Sequence, residues 1–237
     1  MVRIVNKEEF DAKRAEILDS AQRLVLTKGY ERMTLQDILS DLGMSNGAFY
    51  HYFPSKPAVL EALIERMLGE AEQPILAILH DPQLSALEKL QGFFATLERL
   101  RSLNKPFLVD LLRVWTTDDN ALVRQKVETA TAVRRAALLT EVIHQGIREG
   151  QLTTAYPDQA GEIIMALLRG MENTHARLFL SLGQEIDDET CVASVVAVYA
   201  AYMDTIERVI GLPIGTFHRY DAGTVREWVT ALRSAQA

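Results

Sequence analysis

Apolar residues recur three and four apart along most of this chain, a spacing that predicts helices from end to end. From Phe10, the positions Ile17, Ala21, Leu24 and Val25 form one stripe, and Gly29 in "KGY" closes the helix. A second, short helix starts at Thr34, whose hydroxyl can cap it, with Asp37 at the capping-box spacing. Leu35, Ile38, Leu39 and Leu42 line its apolar side; Gly43 stops it, and Ser45 is placed to cap a third helix. After "FPSKP" a long helix is expected, capped by Ser55 with Pro57 in its first turn, bending near Pro74 and ending about Leu79. "HDPQ" reads as a further start, with Asp81 as cap, and "LNKP" and "TTDD" mark breaks around Asn104 and Asp118. Helices then run to Glu149, from "AYPDQ" to about Leu182, from Asp188 to Ile210, and over "TVREWVTALRSA". No stretch alternates as a strand does, so the expected fold is all-α.

Composition narrows the class. The 237 residues suit one large domain or two small ones. A formal charge of -7 argues against a protein that coats nucleic acid non-specifically. Residues 1–60 hold eight basic and eight acidic side chains, so the other 17 basic and 24 acidic residues carry the whole negative charge. Such a split suggests two jobs, one of which tolerates a polyanion. No apolar run reaches the roughly 20 residues that span a bilayer, and "MVRIVNKEEFDAKR" is too charged for a signal peptide. The single cysteine, Cys191, excludes an internal disulfide or a cysteine metal cluster. A cytoplasmic protein is expected.

Two short helices joined by a glycine turn describe a helix-turn-helix. The second of them, "SNGAFYHYF", places four rings at 49, 50, 52 and 53. Advancing about 100° per residue from Asn46 separates two sets. Asn46, Gly47, Tyr50 and His51 face one way; Ala48, Phe49 and Phe53 face the other, with Tyr52 at the border. The first set suits base edges and the groove wall, and the second suits a small core. Such a pair of helices also occurs without DNA, and positions 45–55 contain no Lys or Arg. On spacing alone the two readings stand level.

The stretch from Ile17 to Leu63, "ILDSAQRLVLTKGYERMTLQDILSDLGMSNGAFYHYFPSKPAVLEAL", resembles the DNA-binding domain of the TetR family of bacterial transcriptional regulators. The likeness lies in "A..L...KGY", in "T..DI....G.S.GA.Y.YF..K..L" and in the direct step into a long helix. Pro57 departs from the acidic residue the family commonly has there. The resemblance implies a DNA-binding domain over 1–55 and a helical effector-binding and dimerisation domain over 56–237. It assigns Thr34, Ser45, Tyr52 and Lys56 to phosphates, and Asn46, Gly47, Tyr50 and His51 to bases. Arg3, Lys7 and Lys13 precede the motif, where backbone contacts and solvated tail are both open.

The resemblance further implies a homodimer on a palindromic double-stranded operator, released by a small-molecule effector. Candidate interface residues on two unusually apolar helices are Leu167, Leu168, Leu178, Phe179, Val192, Val195, Val196, Tyr199, Met203 and Ile206, with plain core packing as the lesser alternative. Candidate effector contacts are Met67, Phe93, Phe94, Phe107, Leu111, Trp115, Met165 and Met171, with His144, Asn173 and His175 as polar points. Each also reads as packing, and their ring content favours an apolar or aromatic ligand. No cofactor and no metal are implied. With no "HExxH", "GxSxG" or phosphate-binding glycine loop, an enzyme is not expected. The alternative is a helical ligand-binding or interaction module whose helix-turn-helix no longer reads DNA.

Overall fold

The computed structural model describes residues 7–103, 105, 108–109, 111–112 and 116–235. Nine α-helices are delimited among them: α1 (Lys7–Lys28), α2 (Leu35–Leu42), α3 (Asn46–Tyr50), α4 (Lys56–Leu79), α5 (Ala86–Leu103), α6 (Ala121–Arg148), α7 (Pro157–Leu180), α8 (Asp188–Val209) and α9 (Ala222–Ser234). A short 3-10 turn, Asp118–Asn120, leads into α6. The described residues contain no named strand, and none of their helices is long and apolar enough to cross a membrane. The expected break at Asn104 lies outside the described residues, as does Arg3.

One helix start differs from expectation. Asp81 accepts only the Gln83 N–H (2.8 Å), which makes a turn, and α5 begins at Ala86. Ser85 is the true cap. Its hydroxyl and N–H both donate to Glu88 Oε2 (2.6 and 2.8 Å), and its Oγ accepts the Glu88 N–H at 3.4 Å. A capping box four residues downstream outweighs an Asp-Pro pair, because it satisfies orphan donors reciprocally.

The chain divides into two compact units, the first from 1–70 with 113–127, the second from 71–112 with 128–237. In the first, Ile17, Ala21 and Val25 of α1 are buried, as are Ile38 and Leu39 of α2 and Val59, Leu60 and Leu63 of α4. Asn120, 1% exposed, ties the 3-10 turn to the end of α1 by accepting from the Tyr30 N–H (2.9 Å) and donating to Val25 O (3.3 Å).

In the second unit, Leu90 and Phe93 of α5, Leu139 and Ile143 of α6, Ile164 and Met171 of α7, and Met203 and Ile206 of α8 form one cluster. A smaller one joins Cys191, Val192 and Val195 to Val225, Val229 and Leu232 of α9. Gly161 lets α7 pass close to α6, since a Cβ there would lie 2.2 Å from Ala136 O. Cys191 is buried, and burial pushes its thiol pKa up, which suits packing rather than redox chemistry.

Six residues expected at a dimer interface, Leu168, Val192, Val195, Tyr199, Met203 and Ile206, are buried in this unit's own core. A side chain enclosed by its own chain has no surface left for a second one. Leu167, Leu178, Phe179 and Val196 are half-buried. The surface left open on α7 and α8 carries Ile163, Ala166, Ala193, Ala197 and Ala201.

Glu207 is fully buried on α8. It accepts the Gly215 N–H (2.9 Å), the Phe217 N–H (2.7 Å) and Arg219 Nη2 (2.6 Å), and so fixes the loop that leads to Tyr220. Removing an acceptor of buried donors costs more than the bonds are worth in net terms, because the donors stay desolvated. Glu207→Ala is expected to lower unfolding free energy by about 2–4 kcal/mol in denaturant titrations. Glu207→Gln, which keeps one acceptor, is expected to lose less.

Candidate functional site

The helix-turn-helix is assembled by local hydrogen bonds. Thr34 caps α2: its Oγ1 accepts the Asp37 N–H at 3.1 Å, while its N–H and hydroxyl donate to Asp37 Oδ2 at 2.7 and 2.8 Å. Lys28 Nζ reaches the same oxygen at 2.7 Å. Lys28 first, then Thr34, holds the Asp37 carboxyl down at about 2. The helix ends at Gly43 in the left-handed region (φ 60°, ψ 31°), where glycine meets no Cβ penalty. Ser45 then caps α3 by accepting the Ala48 N–H at 3.3 Å. These groups fix where α3 starts and how it is aimed.

Helix α3 spans five residues with two unlike sides. Phe49 is fully buried and Phe53, just past the helix, is 1% exposed. Asn46, Gly47 and His51 are exposed, and Tyr50 is 53% exposed. Tyr52 is half-buried, its ring 4.9 Å from Phe10, and His51 meets the same ring edge-on at 5.7 Å. Ala48, expected on the inner side, is exposed. The helix is held through two phenylalanines on one edge, so its buried side is narrower than a full helical face.

A Cβ at Gly47 would meet nothing within 4 Å. Packing does not demand a glycine there; its effect is bare backbone on the outward side. Lys56 lies with Nζ 4.2 Å from the Tyr30 ring centre and 3.5 Å from Glu31 O, and Arg14 sits 4.6 Å over the Phe53 ring. Cations therefore flank the aromatic edge of α3 although its own turn has none.

A cluster of polar side chains lies inside the second unit, and only part of it was legible. Of the expected effector contacts, Phe107 and Trp115 lie outside the described residues. Met67 falls in the first unit and is half-buried, as is Leu111 of the second. Phe93, Phe94, Met165 and Met171 are core residues. Asn173 is exposed, and His144 Nε2 pairs with Asp158 Oδ1 at 2.8 Å, the aspartate being exposed.

His175 is different. Its Nε2 is buried without a hydrogen-bond partner, as are Arg135 Nε and Glu72 Oε1. Arg101 is paired with Glu172 and accepted by the Tyr220 hydroxyl oxygen. Tyr220 stacks on Tyr199 at 3.7 Å, and the Tyr199 ring lies 6.5 Å from that of His175. Burial first, and the Arg101 charge second, push His175 down to about 4. Burial also lowers Arg135, despite Glu72 and Glu172 nearby. Arg101, Arg135, Glu72 and Glu172 were missed although a signal existed. Glu72 continues the stripe Leu68, Ile75, Leu79, and Arg135 continues Ala132, Leu139, Val142. A charge on an apolar stripe is the mark of a buried polar site.

Residues 17–63 match the family described as "Bacterial regulatory proteins, tetR family". The HTH-type transcriptional regulator EthR of Mycolicibacterium smegmatis is 31% identical over 139 residues, 52% of this chain and 64% of its own length. The HTH-type transcriptional repressor Rv1474c of Mycobacterium tuberculosis is 32% identical over 117 residues, 47% of this chain and 60% of its own. The chain thus spans less than two thirds of these relatives. Among solved structures, that of the SmeT–triclosan complex shares the fold, with a TM-score of 0.61 at 19% identity over 89% of this chain and 97% of that one.

Two outcomes follow from these environments. Phe49→Ala is expected to destabilise by about 3–5 kcal/mol, whereas Tyr50→Ala stays within about 0.5 kcal/mol; thermal melts followed by circular dichroism separate them. The second concerns acid. An unfolded histidine takes up its proton near 6.5, whereas His175 in the fold does so only near 4. The unfolded state therefore binds more protons between these values, and stability falls as pH drops through that window. Melting midpoints from pH 7 to pH 4 are expected to fall less steeply in His175→Gln than in the wild type.

Proposed function

We propose that this chain, whose residues 17–63 form a TetR-family helix-turn-helix domain, is a homodimeric transcriptional regulator that represses from a palindromic operator until a small molecule releases it. The observation that carries this reading is the two-sided α3, buried through Phe49 and open through Tyr50. Asn46, Gly47, Tyr50 and His51 form the base-reading side, as bare backbone and polar-tipped rings on a capped helix start. Thr34, Ser45, Tyr52 and Lys56 take the phosphates. The functional boundary is drawn at residues 55 and 56. The repressor name of one relative and the triclosan bound by SmeT support the sign and the ligand dependence.

Dimerisation uses the open surface of α7 and α8, where Ile163 and the alanines 166, 193, 197 and 201 allow close approach. Two copies then present two recognition helices to two half-sites. Effector control is a population shift: a ligand that binds one spacing of those helices more tightly moves the dimer towards it. A ligand with equal affinity for both spacings changes nothing.

The test is a mobility-shift titration on DNA from upstream of the protein's own coding sequence, across a range of salt. A retarded complex is expected, weakening by about 0.9 log unit per log unit of salt for each phosphate neutralised. Lys56→Ala is expected to reduce that slope by about one. Asn46→Ala and Tyr50→Ala should each weaken binding by about 1–3 kcal/mol without lowering the melting midpoint. Absence of any retarded complex supports instead a helical module that no longer reads DNA.

A further inference from the structure

Among the described residues, Glu72 Oε1, Arg135 Nε and His175 Nε2 are the buried side-chain atoms left without a hydrogen-bond partner. Glu207 has three donors, and Lys89 Nζ has Gln145 Oε1 at 2.9 Å. Native folds leave few buried polar atoms unpaired, and those they leave call for a reason. These three come from α4, α6 and α7, and they share neighbours. Arg135 senses the charges of Glu72, Glu172 and Arg101; His175 senses those of Arg101 and Glu172. They therefore belong to one cluster, joined through Arg101 and Glu172, with Arg101 hydrogen-bonded to Tyr220 of the Tyr199–Tyr220 stack.

The charge balance of that place decides what fits it. Arg101 is matched by Glu172, and Arg134 Nη1 lies 3.6 Å from Glu72 Oε2. Arg135 has no carboxylate within ion-pair distance among the described residues. Glu98, the remaining acid near the stack, lies 4.0 Å from His218. One guanidinium is thus left over, half-buried and with its Nε buried and unbonded, and Arg101 repels a positive charge at His175 more than Glu172 attracts it. A cation at Glu72 would compete with Arg134; an anion at Arg135 displaces nothing. Guanidinium prefers planar two-oxygen acceptors, which it can meet through parallel N–H bonds. The adjoining surface is flat and aromatic, and Met171 and Phe94 extend the apolar core around it.

We propose that the effector of this protein is an aromatic carboxylate, its carboxylate paired with Arg135 and its ring set against His175 and the Tyr199–Tyr220 stack. This rests on the reading of the second unit as an effector domain. The ligand's charge completes a site that the fold leaves one anion short. His175 accepts or donates one neutral hydrogen bond there, since it carries no proton charge near neutral pH.

The test uses the full-length protein, free of DNA, titrated calorimetrically with 2-naphthoate, 2-naphthamide and 2-naphthylmethylammonium. Wild type is expected to bind the carboxylate at least about tenfold more tightly than the amide, and the ammonium least. Arg135→Gln is expected to erase the preference by weakening the carboxylate while leaving the amide within about twofold. Arg135→Lys should restore part of it, and Glu72→Gln should leave it intact. Equal or tighter binding of amide or ammonium, an unchanged preference in Arg135→Gln, or no binding of any probe at millimolar concentration each overturns the proposal. If Arg135→Gln fails to fold, the order of the three probes on wild type still decides. Operator retardation by ligand-free protein is scored separately. A carboxylate preference without retardation sinks the regulator reading alone, and retardation without the preference sinks only the effector class.

Discussion

A five-residue helix has no stability of its own: nucleation alone makes isolated helices far longer than this marginal in water. Helix α3 exists because Ser45 caps it, because Gly43 turns the chain into it, and because Phe49 and Phe53 anchor it from one edge. Everything the outward side can do depends on that anchorage. The same economy extends to the exposed rings at its edge. Tyr50 lies edge-on to Phe49 at 5.7 Å, and His51 and Tyr52 both rest on Phe10. The rings that face outward are braced by rings that face inward.

The regular part of this fold was open to reading because it repeats. Caps at Thr34, Ser45 and Ser55 occupy their places, and Ile38, Leu39, Val59, Leu60 and Leu63 of the stripes they introduce are buried. Where expectation failed, competition between local signals was the cause. Asp81 with Pro82 looked like a helix start, but the Ser85–Glu88 pair satisfied more donors. Ala48 failed because an angular count assumes a full helical face, and α3 has only an edge. Helices α7 and α8 were harder: an apolar stripe does not say whether its partner is the same chain or another. Tyr199 and Met203 went to the chain's own core, and alanines, too small to attract notice, were left on the surface.

The inner cluster was hidden for a different reason. Its members come from α4, α5, α6, α7 and the loop before α9, and no spacing in sequence links them. Each left only a local trace, a charge where periodicity called for an apolar residue. Glu207 left the same trace and proved to be structural, holding a loop by three bonds. A charged residue on an apolar stripe therefore marks a buried polar site without saying which kind. The distinction lies in satisfaction: Glu207 is saturated, and Arg135 is not.

That difference bears on how such a protein could respond to a ligand. Helices α4 and α6 each begin in the first unit and continue into the second, so the chain is unbroken helix at two of its three crossings. Helix α4 carries Glu72 and, shortly after it, Pro74, which removes one backbone donor from the ladder. Helix α6 follows directly on Asn120, bonded to Val25 and Tyr30 at the end of α1, and carries Arg135 further along. On the proposed reading a ligand at Arg135 changes the electrostatics of α6, the helix that follows Asn120. Free energy gained there can alter DNA affinity only if the two states of α6 hold the ligand unequally. On the proposed reading Arg135, with its Nε buried and unbonded, supplies that inequality, because its pairing energy depends steeply on how far it is kept from water.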